Sequence, residues 1–143
     1  MALANRPQKI DLLADIPIFR YLSKRHLEMI ERNADELAVS AGHLLTREGV
    51  LGHELFVIIE GTATVTRQGT TLARFGPGDF VGEMSLLDNE PGSATVTADG
   101  PMVLLVIGER QFHSLLLKIP ELTVEVLKGM AKRLRSADEV LTH

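Results

Sequence analysis

Glycines interrupt the middle of this chain so often that no long helix can form there. They fall at positions 42, 49, 52, 61, 69, 76, 78, 82, 92 and 100, and the segments between them are short and rich in Val, Ile, Thr and Phe. Short strands separated by turn residues at this spacing are typical of an all-β barrel or sandwich. We therefore expect residues 36–108 to form a β domain.

Four segments give the clearest strand signals, at 55–59, 62–66, 93–97 and 102–107. Two of them alternate Thr or Ser with apolar residues, which is the pattern of a strand with one face buried. Val65, Val96 and Leu104 are accordingly predicted to lie in the core. Apolar residues make up 45% of the chain but aromatic residues only 4%, so this core is mostly aliphatic.

Helical periodicity flanks the β region on both sides. Residues 9–34 predict two short helical pieces around Pro17, the second capped by Ser23. Residues 109–119 predict one helix, and Pro120 begins another that reaches Leu141. The chain is thus expected to be mainly β with flanking helices, a single domain over 1–143 with an N-terminal helical segment (1–35), a β region (36–108) and two C-terminal helices (109–143).

The last predicted helix carries an apolar stripe made of Leu127, Met130, Leu134 and Leu141. A regular apolar stripe is seldom left in water, so we expect it to be covered. It could pack on the chain's own β domain, or it could pair with the same helix of a second chain in a homodimer.

Composition excludes several classes of function. The formal charge is −4 and there are no cysteines, which argues against direct nucleic-acid binding and rules out disulfides, thiolate nucleophiles and cysteine zinc sites. No segment is long and apolar enough for a membrane span, so a cytoplasmic protein is expected. The histidines, His26, His43, His53, His113 and His143, have no metal-ligand spacing, and no catalytic nucleophile motif occurs. We expect neither a metal site nor an enzyme.

The segment from Phe75 to Val96 has the most informative pattern. Glycines flank Gly82-Glu83-Met84-Ser85-Leu86-Leu87, which is long enough for one or two helical turns between strands. Free N–H groups at such a helix start can hold a small anion such as phosphate. Glu83 could accept a hydrogen bond from a sugar hydroxyl, or it could be a solvated or capping carboxylate. A phosphate beside a hydroxyl suggests a nucleotide.

These residues, together with Glu48-Gly49, Leu55 to Gly61 and Ser93 to Ala98, resemble the cyclic nucleotide-binding domain family, which includes the catabolite activator protein and the regulatory subunits of cyclic AMP-dependent protein kinase. The resemblance implies a β-roll, a double-stranded β-helix of jelly-roll type, with a phosphate-binding cassette at 82–95. It implies that cyclic AMP or cyclic GMP is the ligand and that no further cofactor is needed.

The resemblance also implies roles for single residues of the cassette. Gly82, Met84 and Ser85 would offer backbone N–H groups to the cyclic phosphate, and Glu83 would accept the ribose 2′-hydroxyl. Ser93 would meet the phosphate as well, and Ala94 follows it in the ligand-binding segment. The helix from Glu121 to Leu141 would close over the base.

Position 92 departs from the family pattern, which usually has an arginine there that pairs with the phosphate. This chain has Gly92, and no Arg or Lys occurs between Arg74 and Arg110. Loss of a charged partner costs roughly 2–5 kcal/mol, so we expect weakened affinity that Gly92→Arg would restore. Pro91 and Gly92 also fit the centre of a type II turn.

Two functions remain: a regulatory sensor acting on an effector outside this chain, or a non-binding domain that serves as a dimerising scaffold.

Overall fold

The computed structural model describes the backbone of residues 9–142 and the side chains of residues 11–137; His143 and the side chain of Leu141 lie outside the described residues. The helices are α1 (Lys9–Ala14), a 3₁₀ turn (Pro17–Phe19), α2 (Lys24–Arg32), α3 (Glu83–Asp88), α4 (Glu109–Lys118) and α5 (Pro120–Thr142). The strands are β1 (Asp35–Val39), β2 (Leu44–Thr46), β3 (Glu54–Glu60), β4 (Ala63–Arg67), β5 (Thr70–Phe75), β6 (Phe80–Val81), β7 (Thr95–Ala98) and β8 (Met102–Gly108).

Residues 32–113 form one compact unit, which contains all the described strands. Its two antiparallel sheets have the orders β1-β8-β3-β6 and β2-β7-β4-β5. This is the β-roll with flanking helices that the resemblance implies, so the predicted fold class is confirmed.

The core of this unit lies between the two sheets and is aliphatic, as predicted. It is formed by Leu45, Phe56, Ile58, Ala63, Val65, Val81, Val96, Ala98, Met102 and Leu104. Strand β4 shows how the pattern is built, because its residues alternate between the buried face and the outer face. Val65 stands opposite Val96 of β7 on the core face, and Thr64 stands opposite Thr97 on the outer face.

Strands β4 and β5 form a tight hairpin. Gln68 and Gly69 make its two-residue loop, with φ angles of 50° and 80°. Left-handed backbone at both positions is the geometry whose twist suits a two-residue hairpin. The hairpin places Arg67 at the very end of β4, opposite Thr70.

The second compact unit comprises the described parts of residues 1–31 and 114–143. Pro17 begins its 3₁₀ turn, and Ser23 caps α2 by accepting a hydrogen bond from the N–H of His26 at 3.1 Å, as predicted. Pro120 is the first residue of α5, which packs against the 3₁₀ turn.

The buried face of α5 differs from the predicted stripe. Leu122 and Val126 are buried, whereas Leu127 is 57% exposed and Leu134 is 65% exposed. Sequence periodicity found an apolar face, but a second apolar face one residue away is the one that the chain covers.

In the described part of the chain, no helix has both the length and the apolar character needed to cross a membrane. The same residues contain no group of three or more metal-ligating side chains.

Candidate functional site

Helix α3 begins at a position that only glycine can occupy. Gly82 has a φ of 97°, and a Cβ atom built there would lie 2.5 Å from the carbonyl oxygen of Glu54. Glu83 follows as the first residue of α3 and is only 3% exposed. The interpretation of Glu83 as a solvated carboxylate is therefore wrong, because the tight entry through Gly82 turns its side chain into the protein.

The other predicted residues of α3 are divided between surface and interior. Met84 is exposed, and Ser85 is buried. The hydroxyl of Ser85 donates a hydrogen bond to the carbonyl oxygen of Glu90 at 2.8 Å, so it ties the start of α3 to the segment that follows the helix. The backbone N–H groups of Met84 and Ser85 lie in the first turn of the helix, where no preceding turn supplies an acceptor.

Gly92 pairs with the loop at residues 47–50 through its backbone. Its N–H donates to the carbonyl oxygen of Val50 at 2.9 Å, and its own carbonyl accepts the N–H of Gly49 at 2.9 Å. A Cβ atom at position 92 would lie 2.9 Å from the carbonyl oxygen of Arg47. The predicted type II turn is wrong, because Gly92 is not among the residues with positive φ. Glycine is needed here for close approach between two backbone segments.

Ser93 and Ala94 lie just before β7, which starts at Thr95 and not at Ser93 as predicted. Side chains from two other strands donate hydrogen bonds to the carbonyl groups of Ser93 and Ala94. Arg67 donates from Nε to the carbonyl oxygen of Ser93 at 2.8 Å, and the hydroxyl of Thr46 donates to the carbonyl oxygen of Ala94 at 3.2 Å. Residues 93–94 are thus held by hydrogen bonds from side chains, whereas a strand would be held by backbone hydrogen bonds to its neighbours.

Sequence reasoning missed Arg67. A signal was present, since Arg67 follows Ala63 and Val65 at the two-residue spacing of the core face of β4. The stretch between Arg74 and Arg110 contains no cation, and Arg67 reaches Ser93 from 26 positions earlier in the chain.

Helix α4 also contacts the cassette. The Nε2 atom of His113 lies 2.6 Å from the carbonyl oxygen of Leu86 in α3. On the opposite side, Gly52 lies against Ser85, where a Cβ at position 52 would be 3.6 Å from the serine Cβ. The cassette is therefore anchored from both the loop before β3 and the helix after β8.

A second polar cluster occupies the outer face of the same sheet that carries Arg67. The hydroxyls of Thr62 and Thr64 donate to the carboxylate of Asp99 at 2.8 and 2.6 Å, and Arg74 Nε lies 3.4 Å from it. The hydrogen bond from Thr64, followed by those of Thr62 and the charge of Arg74, holds the pKa of Asp99 below its ordinary value of 3.8. We call these four residues the Asp99 cluster.

The profile of the cyclic nucleotide-binding domain family matches residues 36–118, which include both sheets, the cassette and α4. The chain belongs to this family. The residues predicted for the cassette, Gly82 to Ser85 with Ser93 and Ala94, all lie within the matched range.

Known relatives agree with this membership. The chain is 34% identical over 122 residues to a cyclic nucleotide-gated potassium channel of Rhizobium etli, covering 85% of this chain and 34% of the channel. The catabolite activator protein of Thermus thermophilus superposes with a TM-score of 0.78 at 29% identity, covering 88% of this chain and 62% of that one. The regulatory subunit of a cAMP-independent protein kinase A from Trypanosoma brucei gives 0.76 at 26% identity, covering 86% and 44%. This chain spans about a third of the channel's length.

Proposed function

We propose that this domain binds a cyclic nucleotide at the cassette and acts as a regulatory module for an effector outside the chain. The observation that carries the proposal is the entry to α3, where Gly82 is fitted against Glu54 and Glu83 is buried behind it. The carboxylate of Glu83 is thus held inside the fold at the start of the cassette. At this point of the family's fold it is suited to accept the ribose 2′-hydroxyl of a ligand.

The proposal includes reduced affinity. A phosphate in the cassette would lack the arginine usual at position 92, and a missing partner of this kind costs roughly 2–5 kcal/mol, or about 30-fold to several thousand-fold in affinity. The structure adds a condition to the expectation that Gly92→Arg restores binding. The new Cβ would meet the carbonyl oxygen of Arg47 at 2.9 Å, so the loop at 47–50 has to shift first.

Titration calorimetry with cyclic AMP and cyclic GMP tests the proposal. We expect binding of at least one of them with a dissociation constant in the micromolar range or weaker. Glu83→Gln keeps the size of the side chain and removes its charge, so it should weaken binding by about 10-fold or more. Absence of binding at millimolar nucleotide would overturn the proposal, and a nanomolar dissociation constant would overturn its claim of reduced affinity.

A homodimer through α5 is the second candidate, in which the domain serves as a scaffold with or without ligand. The exposed leucines Leu127 and Leu134 support it, since they are seven residues apart and so lie on one face of the helix. Leu134→Glu should lower the apparent mass in light scattering without unfolding the β-roll.

Leu117 supplies the control for that experiment. It is 85% exposed on α4, away from the stripe, so Leu117→Glu should leave the mass unchanged. A parent protein that is monomeric at high micromolar concentration excludes the dimer.

A further inference from the structure

The core face of β4 ends in a charged residue. Ala63 and Val65 are buried on this face, and the pairing of β4 with β7 ends at Thr66 and Thr95, so Arg67 follows directly where the paired segment stops. Arg67 therefore extends from the same face that lines the inside of the β-roll, at the point where the cassette joins β7. Its side chain is exposed, so it is accessible to a ligand from solvent.

The guanidinium of Arg67 is held at the cassette through Nε, and the neighbouring carboxylate of Glu48 accepts the backbone N–H of Gln68 at 3.2 Å. Nε donates to the carbonyl oxygen of Ser93 at 2.8 Å. A guanidinium has five N–H donors, and four remain on its terminal nitrogens. Among the residues whose side chains are described, no carboxylate lies within ion-pair distance of Arg67. Arg74, on the opposite face of the sheet, differs because Asp99 lies 3.4 Å away.

The cassette itself supplies no cation. The chain from Phe75 to Gly100 contains five acidic residues, Asp79, Glu83, Asp88, Glu90 and Asp99, and no Lys or Arg. An anion bound there would need a positive charge brought in from another part of the chain. Among the arginines whose side chains the structure describes, Arg67 donates a hydrogen bond to the cassette, at the residue next to Gly92.

We propose that Arg67 contacts the phosphate of the bound cyclic nucleotide and so supplies from β4 the guanidinium that position 92 lacks. This inference rests on the proposed function. The bond to Ser93 fixes the guanidinium before ligand arrives, which lowers the entropic cost of the contact. Two donors on one planar group can then reach two phosphate oxygens. The contact offsets part of the affinity lost at Gly92.

The test is a titration of the full chain with cyclic AMP and cyclic GMP after Arg67→Gln, with Arg74→Gln as the matched control. Both variants remove one arginine from the same sheet, but on opposite faces. Arg67→Gln should weaken binding by about 10- to 100-fold, and Arg74→Gln should change it by less than about twofold. Arg67→Lys should recover part of the loss, because it keeps the charge without the planar group.

Two further measurements separate a phosphate contact from a purely structural role. The parent and Arg67→Gln should bind adenosine and guanosine equally, since these nucleosides lack the phosphate. The melting temperature of ligand-free Arg67→Gln should match that of Arg74→Gln within about 2 °C. A lower melting temperature with unchanged affinity for cyclic nucleotide would make Arg67 a structural residue and overturn the inference.

The outcomes also distinguish the inference from the function beneath it. If the parent binds a cyclic nucleotide and the two glutamine variants bind equally well, the inference fails and the proposed function stands. It also fails if Arg47→Gln causes the loss and Arg67→Gln does not, because the cation then comes from the loop before β3. If the parent binds neither nucleotide, both fail.

Discussion

The cassette and the Asp99 cluster are two polar regions of one β-roll, and they are held in opposite ways. The cassette depends largely on close backbone packing: Gly82 and Gly92 each bring main-chain atoms so close to another segment that a Cβ atom would not fit, and side chains add single hydrogen bonds. The Asp99 cluster depends on side chains, with two threonine hydroxyls and one arginine around a carboxylate.

This contrast has a consequence for binding. In the Asp99 cluster the charge of Arg74 faces the charge of Asp99, and two threonine hydroxyls donate to the same carboxylate. In the cassette the backbone contacts fix the shape. The charge of Arg67 and the N–H groups at the start of α3 are not part of those contacts. A region shaped by backbone should be intolerant of small side-chain additions, and a region shaped by exposed side chains should tolerate substitution.

Gly82→Ala is the strongest test of this contrast. Left-handed backbone costs a non-glycine residue ~1–2 kcal/mol, and overpacking against Glu54 adds ~1–3 kcal/mol. Chemical denaturation should therefore show a loss of roughly 2–5 kcal/mol, with loss of any nucleotide binding. Gly100→Ala is the control, because a Cβ there meets nothing within 4 Å, and it should stay within about 0.5 kcal/mol of the parent.

Gly92→Ala should have the next largest effect. Its φ is not left-handed, so only the contact with the carbonyl oxygen of Arg47 opposes the substitution. We expect a loss of about 1–3 kcal/mol in the free energy of unfolding. A neutral result would show that the loop at 47–50 moves easily, and Gly92→Arg would then be a usable test of affinity.

The sequence predicted those parts of the fold that depend on local signals. Pro17, Ser23 and Pro120 mark helix boundaries that the structure has, and α3 appears at Glu83–Asp88 where 82–87 was expected. These signals are short-range, because a cap or a fixed φ acts on the next few residues whatever surrounds them.

The misses all depend on contacts between residues far apart in the chain. Gly92 looked like a turn residue because Pro precedes it, but its backbone is occupied by the loop at 47–50. Ser93 has the composition of a strand, yet its carbonyl is taken by a side chain from β4. The buried face of α5 follows from what packs on that helix, and two apolar faces in the sequence are equally regular. The hydrophobic pattern of a helix or strand identifies its apolar faces, but it does not identify which part of the protein packs on each face.

Ser85→Ala examines the side-chain hydrogen bond within the cassette. Removal of the hydroxyl loses the hydrogen bond to the carbonyl oxygen of Glu90, which is worth about 0.5–1.5 kcal/mol. Chemical denaturation should show this loss in the free energy of unfolding, with no change in its slope against denaturant concentration. Ser40→Ala, in the exposed loop after β1, should show none. An equal effect of the two variants would mean that this hydrogen bond does not stabilise the cassette.

Asp99→Asn should have the smallest effect, and that effect should depend on pH. The threonine hydroxyls and Arg74 lower the pKa of Asp99 in the folded chain below its ordinary 3.8. A carboxylate of this kind stabilises the fold above the unfolded pKa, and the stabilisation is lost as the pH falls through the folded pKa. The parent should therefore melt slightly above the variant at neutral pH, and the difference should shrink as the pH is lowered below about 4. Because the cluster is open to solvent, added salt should reduce the difference as well.

Melting temperatures of the two proteins from pH 7 to pH 2.5, at low and high salt, measure this directly. A constant difference across that range would show that the hydrogen-bond geometry of residue 99 matters and its charge does not, so the outer cluster would resemble the cassette in being held by shape.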